Sequence, residues 1–275
     1  VNAMGERTVF RLRIVPELWR LGLALHSRVF TKMSVVDIIK EVLTENGVDA
    51  FELRLTGSYA TEEHVCQYKE SDLAFLSRWM EHEGIYYYFE HGDDGETLVI
   101  TDDKSAHVEL RPGAGVRYHP ATDDEAALEA LHKVSLKHRA MPAMVKVADY
   151  DYAKPQLELS GSAPVSPSGL AVVNFFGARS FSPEHAKAQA SLRAESFKAA
   201  QEVLHAKGTA RYLRTGYTFE IEHHPRAQLN ASFLATEIVH VGRQVQGQSE
   251  LDALIPDKSP EVYRVEVWGI SAATQ

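Results

Sequence analysis

Two short amphipathic helices, each with its own start and stop signal, constrain the fold of this chain more than any other sequence feature. The first is predicted over Ser34–Asn46, where Ser34 can cap the helix and Asp37 stands three residues on, as in a capping box. Gly47 follows its last turn. Its apolar residues recur at helical spacing and are Val35, Ile38, Ile39, Val42 and Leu43. The second helix is predicted over 71–83 and ends at Gly84.

Strand-like segments surround these helices. Two short ones, Phe51–Leu55 and His64–Tyr68, lie between the helices. After Gly84, Ile85–Glu90 and Thr97–Thr101 flank a polar turn and predict a hairpin with a loop of four to six residues. We therefore expect residues 31–105 to form one α/β module, with two helices on a small antiparallel sheet.

The start of the chain predicts strands with few partners. Thr8–Val15 and Leu21–His26 alternate apolar and polar residues around a turn at Pro16–Trp19. An isolated hairpin is marginally stable in water, so these strands need others beside them. They are expected to be the end of a sheet whose earlier strands are missing.

The second half of the chain predicts one long helix among short strands. Ser182, Pro183 and Glu184 supply a cap, a proline at the first helical position and an early acid, and Gly208 stops the helix. The serine-, proline- and glycine-rich stretch 160–169 predicts a linker, and Pro120–Glu129 a connection or one helical turn. Several short strands with polar turns favour a small barrel. The predicted strands are Leu131–Lys137 and Met144–Tyr152, taken as a hairpin, then Leu170–Phe176, Thr209–Leu213, Tyr217–Ile221, Ala231–Val241 and Val262–Ile270.

Composition excludes several classes of protein. The chain carries 29 basic and 38 acidic residues, a formal net charge of −9, which argues against a binder of nucleic acid or anionic membranes. Its single cysteine cannot form an internal disulfide or a cysteine-rich zinc site. No apolar run approaches the roughly 20 residues of a membrane helix, and Val1–Phe10 is too polar for a signal peptide.

Acids and histidines at Glu220–His224 form the one candidate metal site. On a strand, both acids and His224 share one face while His223 points to the other, so the four side chains do not converge locally. The string also lacks the His-Glu-x-x-His spacing of helical zinc sites, and Pro225 favours the end of a strand. We therefore predict a structural strand end here.

The other reactive side chains have structural interpretations. Glu81-His82-Glu83 ends the second helix, where histidine interacts favourably with the helix dipole. Cys66 is expected to be a small buried thiol. In Tyr86-Tyr87-Tyr88, the alternation of side chains along a strand would bury Tyr87 on the same face as Ile85 and Phe89. The acid pairs Asp93-Asp94 and Asp102-Asp103 are expected to be solvated in or beside turns. No catalytic, cofactor-binding or metal-binding residue is assigned.

Longer residue strings resemble a known family. The most specific block is Cys66–Phe89, CQYKESDLAFLSRWMEHEGIYYYF. Further blocks are Arg7–Leu25, Ser27–Phe30, Ser34–Leu43, Asn174–Phe181 (NFFGARSF) and Gly216–Leu234 (GYTFEIEHHPRAQLNASFL). Together they resemble the hub region of VgrG proteins, the spike of type VI secretion systems.

This resemblance implies a fold similar to contractile-phage baseplate hubs: an α+β fold of small antiparallel β-barrels with an α/β insertion and one long surface helix. By analogy with that family, residues 1–30 are the last part of a first barrel, which residues 106–159 complete. Residues 31–105 are then the α/β insertion. Residues 160–169 are then the linker, and 170–275 the second barrel with helix 183–206. The chain would begin inside the first barrel and stop before an OB-fold, as in a truncated piece or a split gene.

The resemblance also implies partners. A VgrG hub is a homotrimer seated on the Hcp tube, it meets baseplate components and effectors, and it has no active site or cofactor. It resides in the bacterial cytoplasm before firing and is then secreted through the type VI apparatus. Two alternatives stay open. One is the hub of a prophage or other contractile injection particle, and the other is a metal-dependent hydrolase effector with Glu222, His223 and His224 as ligands.

Overall fold

The computed structural model describes residues 2–4, 7–9, 12–120, 129–242 and 263–274 of the 275-residue chain. The chain divides into two compact units, residues 1–102 and 103–275. Each unit combines many short strands with few helices, so the α+β fold class predicted from the sequence is confirmed.

Among its described residues, the first unit contains two α-helices and nine strands. The helices are α1 (Val35–Glu45) and α2 (Asp72–Glu83), preceded by a 3-10 helix at Glu17–Gly22. The strands are β1 (Asn2–Met4), β2 (Arg7–Val9), β3 (Leu25–Phe30), β4 (Met33–Ser34), β5 (Phe51–Arg54), β6 (Thr61–Glu62), β7 (Val65–Ser71), β8 (Tyr86–Gly92) and β9 (Gly95–Thr101).

Both helices have the caps that the sequence predicts. Ser34 Oγ accepts a hydrogen bond from Asp37 N at 3.1 Å and donates one to the Asp37 carboxylate at 2.7 Å. Ser71 Oγ caps α2 by accepting a hydrogen bond from Ala74 N at 3.2 Å. Gly84 ends α2 with φ 74°, a left-handed conformation that costs glycine little. The predicted helices over 34–46 and 71–83 are therefore confirmed.

The sheets of the first unit differ from the prediction in four respects. The three-stranded sheet has the order β5-β9-β8, and β5 runs parallel to β9, so it is mixed and not purely antiparallel. The hairpin loop has two residues, because pairing continues to Gly92 and Gly95. Residues 12–16 are not a strand, and the predicted strand Leu21–His26 is instead the end of the 3-10 helix followed by β3. β3 pairs with β7, which brings Phe30 into the core of α1 and α2.

In the part of the second unit that the structure describes there are one long helix and nine strands. The helix is α3 (Pro183–Ala199), and short 3-10 turns lie at Lys104–Ala106 and Ala227–Leu229. The strands are β10 (Val116–Arg117), β11 (Leu131–His138), β12 (Met144–Asp149), β13 (Leu159–Pro164), β14 (Val172–Phe176), β15 (Glu202–Gly208), β16 (Thr218–Glu222), β17 (Ser232–Gly242) and β18 (Tyr263–Ser271).

Six of these strands form a closed barrel. The sheet order is β10-β16-β17-β18-β15-β11. A bridge between Tyr118 and Leu131, with His119 N donating to Leu131 O at 2.9 Å, joins the two edge strands. Alternate side chains point inwards, so that Phe219, Ile221 and their neighbours fill the interior. Closure leaves this sheet without an unpaired edge along the joined segment.

The remaining strands form a mixed sheet, order β13-β12-β14, under α3. Three alanines of α3, Ala186, Ala190 and Ala194, are buried against it. A Cβ at Gly161 would overlap the carbonyl group of Ala186, so glycine permits this close approach. The predicted surface helix is thus confirmed as a helix whose alanine face lies on a sheet.

Several predictions for this unit are wrong. β11 and β12 are not a hairpin, since β11 pairs with β15 while β12 pairs with β13 and β14. Half of the stretch expected as a linker over 160–169, residues 160–164, belongs to β13. The helix ends at Ala199, because residues 202–208 alternate inward and outward as β15. Residues 209–213 are a loop whose Ala210 and Leu213 fill the barrel. Of the connection at Pro120–Glu129, residues 121–128 lie outside the described residues.

Candidate functional site

The histidine-rich string ends a strand, as predicted. β16 stops at Glu222, and His223 turns the chain with φ 61°. His224 is buried: its Nδ1 accepts a hydrogen bond from Arg226 N at 3.0 Å, and its backbone groups bond the Asn230 side chain at 2.7 and 2.9 Å. His224 therefore anchors the loop after β16 and uses its Nδ1 lone pair in doing so.

Cys66 lies on the surface, contrary to expectation. The inward residues of β7 are Val65 and Gln67, so the alternation of the strand turns Cys66 outward. His82 lies at the end of α2 as predicted, with its Nδ1 2.9 Å from the Glu83 carboxylate.

The tyrosine triplet is also arranged differently from the prediction. Tyr87 shares the core-facing side of β8 with Phe89, their rings 5.9 Å apart, but it stays 37% exposed on this edge strand. Tyr88 is the buried one, on the other face, where its hydroxyl accepts a hydrogen bond from Arg54. Burial raises the pKa of both Tyr87 and Tyr88. Tyr86, on the same face as Tyr88, is 39% exposed.

Asp102 is not a solvated turn residue either. Its carboxylate accepts hydrogen bonds from Thr56 N at 2.8 Å, Gly57 N at 2.6 Å and the Tyr59 hydroxyl at 2.8 Å. Burial opposes ionisation here, yet these bonds outweigh it and lower the pKa of Asp102. Asp102 thereby fixes the loop after β5. Asp93 and Asp94 do occupy the turn between β8 and β9, as expected.

Asp72, at the first position of α2, is a highly connected polar group of the first unit. It is 1% exposed and accepts hydrogen bonds from Arg28 at 2.9 Å, Gln67 at 2.8 Å and Asn46 at 3.0 Å. His26 Nδ1 lies 3.0 Å from the same carboxylate. We call these five residues the Asp72 cluster. The cluster joins β3, α1, β7 and α2 at one point.

The environment of Asp72 favours its charged form. Burial alone would raise the pKa of Asp72, but hydrogen bonds from Gln67, His26 and Asn46, with the nearby Arg28 charge, lower it. The amino end of α2 adds a favourable dipole. A paired and fully hydrogen-bonded carboxylate of this kind holds elements in place and has no proton to exchange near neutral pH.

A second ion pair lies beside the cluster. Arg78 donates to the Glu70 carboxylate at 2.7 Å and to the Cys66 carbonyl at 2.7 Å, and it stacks on the ring of Phe75. The Arg78 guanidinium lowers the pKa of Glu70. Sequence reasoning missed both groups, although Gln67, Glu70, Asp72 and Arg78 all belong to the block Cys66–Phe89.

The reactive side chains do not converge on a metal-binding geometry. Among the residues that the structure describes, no group of three or more His, Cys, Asp or Glu side chains could hold a metal ion. Within the same residues, no helix has the length and apolar character needed to cross a membrane. The prominent polar groups act as internal clamps.

Comparison with known proteins gives one family. The family model described as phage tail baseplate hub (GPD) matches residues 1–246. The type VI secretion system spike protein VgrG1b of Pseudomonas aeruginosa is 29% identical over 235 residues, which are 84% of this chain and 31% of that protein. The chain thus spans about a third of the length of this relative. The resemblance to VgrG proteins seen in the sequence is confirmed.

Solved structures share the fold. A component of the E. coli type VI secretion system, described as structurally similar to the bacteriophage T4 tail proteins gp27 and gp5, superposes with a TM-score of 0.61 at 17% identity, covering 93% of this chain and 53% of that one. A tail protein from Neisseria meningitidis superposes with a TM-score of 0.64 at 11% identity, covering 92% and 72%. At these identities the likeness concerns the fold alone.

Proposed function

Because this chain belongs to the phage tail baseplate hub family, we propose that it is the hub portion of a type VI secretion spike. In this role it joins the Hcp tube to the puncturing needle for protein delivery into target cells. The observation that carries the proposal is that one hub family matches residues 1–246 while a type VI spike protein aligns over 84% of the chain.

The internal construction of the two units suits a mechanical role. A hub must keep its shape while force passes through it, and it needs no reactive group. The closed barrel and the Asp72 cluster supply that rigidity: the first through the bridge from Tyr118 to Leu131, the second through four elements tied to one carboxylate. Such features support a structural part over an enzyme.

The proposed partners follow from the hub role. The hub is a homotrimer, it contacts the Hcp tube on one side, and it meets baseplate components and effectors. It resides in the bacterial cytoplasm before firing and leaves through the type VI apparatus. The net charge of −9 is consistent with protein partners and disfavours nucleic acid.

The hub portion has no catalytic activity of its own in this proposal. The competing hydrolase hypothesis needs Glu222, His223 and His224 as metal ligands. His224 is buried with its Nδ1 bonded to Arg226 N, and His223 lies on the exposed side of the turn. This arrangement supports loop anchoring and offers no shared ligand site.

A hub of a prophage or other contractile particle is the second candidate. The observation that favours it is that the family model matching residues 1–246 is described as a phage tail baseplate hub. The two candidates differ in genomic neighbours, since a type VI hub is encoded near tube and sheath genes of a secretion system and a prophage hub near capsid genes.

Deletion of the gene tests the proposal. In a strain lacking its other spike genes, the deletion should abolish release of the Hcp tube protein into the medium, and the intact gene should restore it. As a control, the gene carrying Cys66→Ser should restore release as the intact gene does. The Cys66 thiol is exposed and belongs to neither the Arg28–Asp72 nor the Arg78–Glu70 ion pair. Undiminished Hcp release after deletion would contradict the proposal, and loss of phage particles instead would favour the second candidate.

A further inference from the structure

Four aromatic side chains stand exposed at one end of the three-stranded sheet in the second unit. Tyr150, Tyr152, Phe176 and Phe181 are 60%, 88%, 78% and 63% exposed. We call them the aromatic end patch. Two of them belong to the sequence block Asn174–Phe181, to which the proposed function gives no task.

Strand pairing brings these residues to the same end of the sheet. β12 and β14 are parallel, with Ala148 opposite Phe176, so both strands finish at one edge. Gly177 N donates to Ala148 O at 3.1 Å, and Ser180 N donates to the Asp149 carboxylate at 2.8 Å. The loop before α3 is thereby tied to the end of β12, which carries Tyr150.

The exposure of these rings is selective. Within the same loop Ala178 and Ser180 are buried, and the neighbouring Phe175 packs inwards beneath Arg193, whose guanidinium lies 4.4 Å from the ring centre. Neighbouring residues of this segment are therefore buried in the core of the second unit, whereas the four aromatic rings lie outside that core. With about 150–250 Å² for each side chain and the exposed fractions given above, the four expose roughly 600 Å² in total. This is at the upper end of the range for the largest apolar patch on a typical monomer.

We infer that the aromatic end patch is the contact surface for a second copy of this chain, an inference that rests on the proposed homotrimeric hub. Roughly 600 Å² is about three quarters of what one partner buries in a stable interface of standard size. Permanent interfaces between subunits are also more apolar and aromatic than transient ones.

Local charge favours the same occupant. The patch is flanked by Asp149, Asp151 and Glu184 and by Lys154 and Arg179, so it is nearly neutral although the whole chain carries −9. A second, equally acidic copy is repelled least at a neutral surface.

An open groove of about 910 Å³, lined in part by Phe176 and Lys187, adjoins the patch and gives a recess for side chains of the neighbour.

The association of purified 275-residue chains tests this inference. We expect light scattering to show self-association that rises with concentration, and the double variant Tyr152→Ser/Phe176→Ser to weaken it by at least about 30-fold for each ring. The matched control is Leu170→Ser/Val172→Ser, which removes exposed apolar side chains from the opposite end of the same sheet. Thermal unfolding of all three proteins should coincide, since every substituted side chain is exposed.

Each other outcome overturns the inference. If the two double variants associate equally, the contact between copies lies elsewhere, and the proposed trimer still stands. If the wild-type chain stays monomeric, this chain alone does not form the contact. Loss of binding to purified Hcp, with self-association retained, would assign the patch to the tube. Suppose that gene deletion abolishes Hcp release but the gene carrying the patch variant restores it as the wild-type gene does. This result would overturn the present inference and leave the proposed function standing.

Discussion

Arg28 and Asp72 are 44 residues apart in the sequence, and Nη2 of Arg28 donates a hydrogen bond of 2.9 Å to Oδ1 of Asp72. The pair ties β3 to the start of α2, and Gln67 and Asn46 extend the connection to β7 and α1. The first unit thus contains a single carboxylate on which four elements depend.

Replacing Asp72 should destabilise the first unit. An Asp72→Asn variant leaves the partly buried Arg28 facing a neutral group, and breaking one side of such a pair costs about 2–3 kcal/mol. Urea unfolding followed by circular dichroism measures this. The control Glu81→Gln, an exposed helix position, should change the unfolding free energy by less than about 0.5 kcal/mol. Equal stability of the two variants would contradict the assigned role of the cluster.

Acid should remove the same contribution. Because the pKa of Asp72 is lower in the folded protein than in the unfolded chain, its stabilising effect is fully present above the unfolded value, about 3.9. It is lost as the pH falls below that value towards the folded pKa. The difference in unfolding free energy between wild type and Asp72→Asn should therefore shrink from pH 5 to pH 2. A difference that does not vary over this range would exclude the carboxylate charge as its source.

The packing of α3 on its sheet should depend on Gly161. A methyl group there overlaps the Ala186 carbonyl, so Gly161→Ala must shift the helix and should cost about 1–3 kcal/mol. Gly242→Ala is the matched control, since its Cβ would lie 3.8 Å from Tyr263, an ordinary contact. If both variants have the same melting temperature as wild type, the inference that α3 packs closely against Gly161 is wrong.

His224 should act on stability and not on metal binding. His224→Ala removes the acceptor for Arg226 N and the ring beside Tyr118, at a cost of about 1–2 kcal/mol. His138→Ala, an exposed histidine of the same unit, should be nearly neutral. Metal analysis of protein purified without chelators should find no stoichiometric zinc. Zinc that is present in wild type and absent from His224→Ala would reinstate the hydrolase hypothesis.

Local signals made α1 and α2 predictable, because Ser34, Ser71 and Gly84 act within a few residues of the helix ends they determine. Strand partners were not predictable in the same way. β11 pairs with β15 some 70 residues on, and nothing near Leu131 in the sequence indicates this. The Asp72 cluster was missed for the same reason, since its members come from four separate elements.

The error at Cys66 has a different origin. Residue type favoured burial, whereas the register of β7 determined its outward direction, with Gln67 taking the buried position to reach Asp72. Exposure of the aromatic end patch likewise depends on where β12 and β14 end together. Both features follow from tertiary pairing and not from local composition.

Assembly should respond to salt. Each chain carries a formal charge of −9, so three chains brought together repel one another, and salt screens that repulsion beyond about 8–10 Å. We therefore expect association of the hub to rise with protein concentration and to strengthen from low to high salt. Size exclusion coupled to light scattering at both salt concentrations measures this.

The mass of the protein encoded by the complete open reading frame tests the central claim most directly. In light scattering at both salt concentrations, the account predicts the mass of a homotrimer. A strictly monomeric mass at every concentration would contradict the assignment of this chain as the hub of a secretion spike.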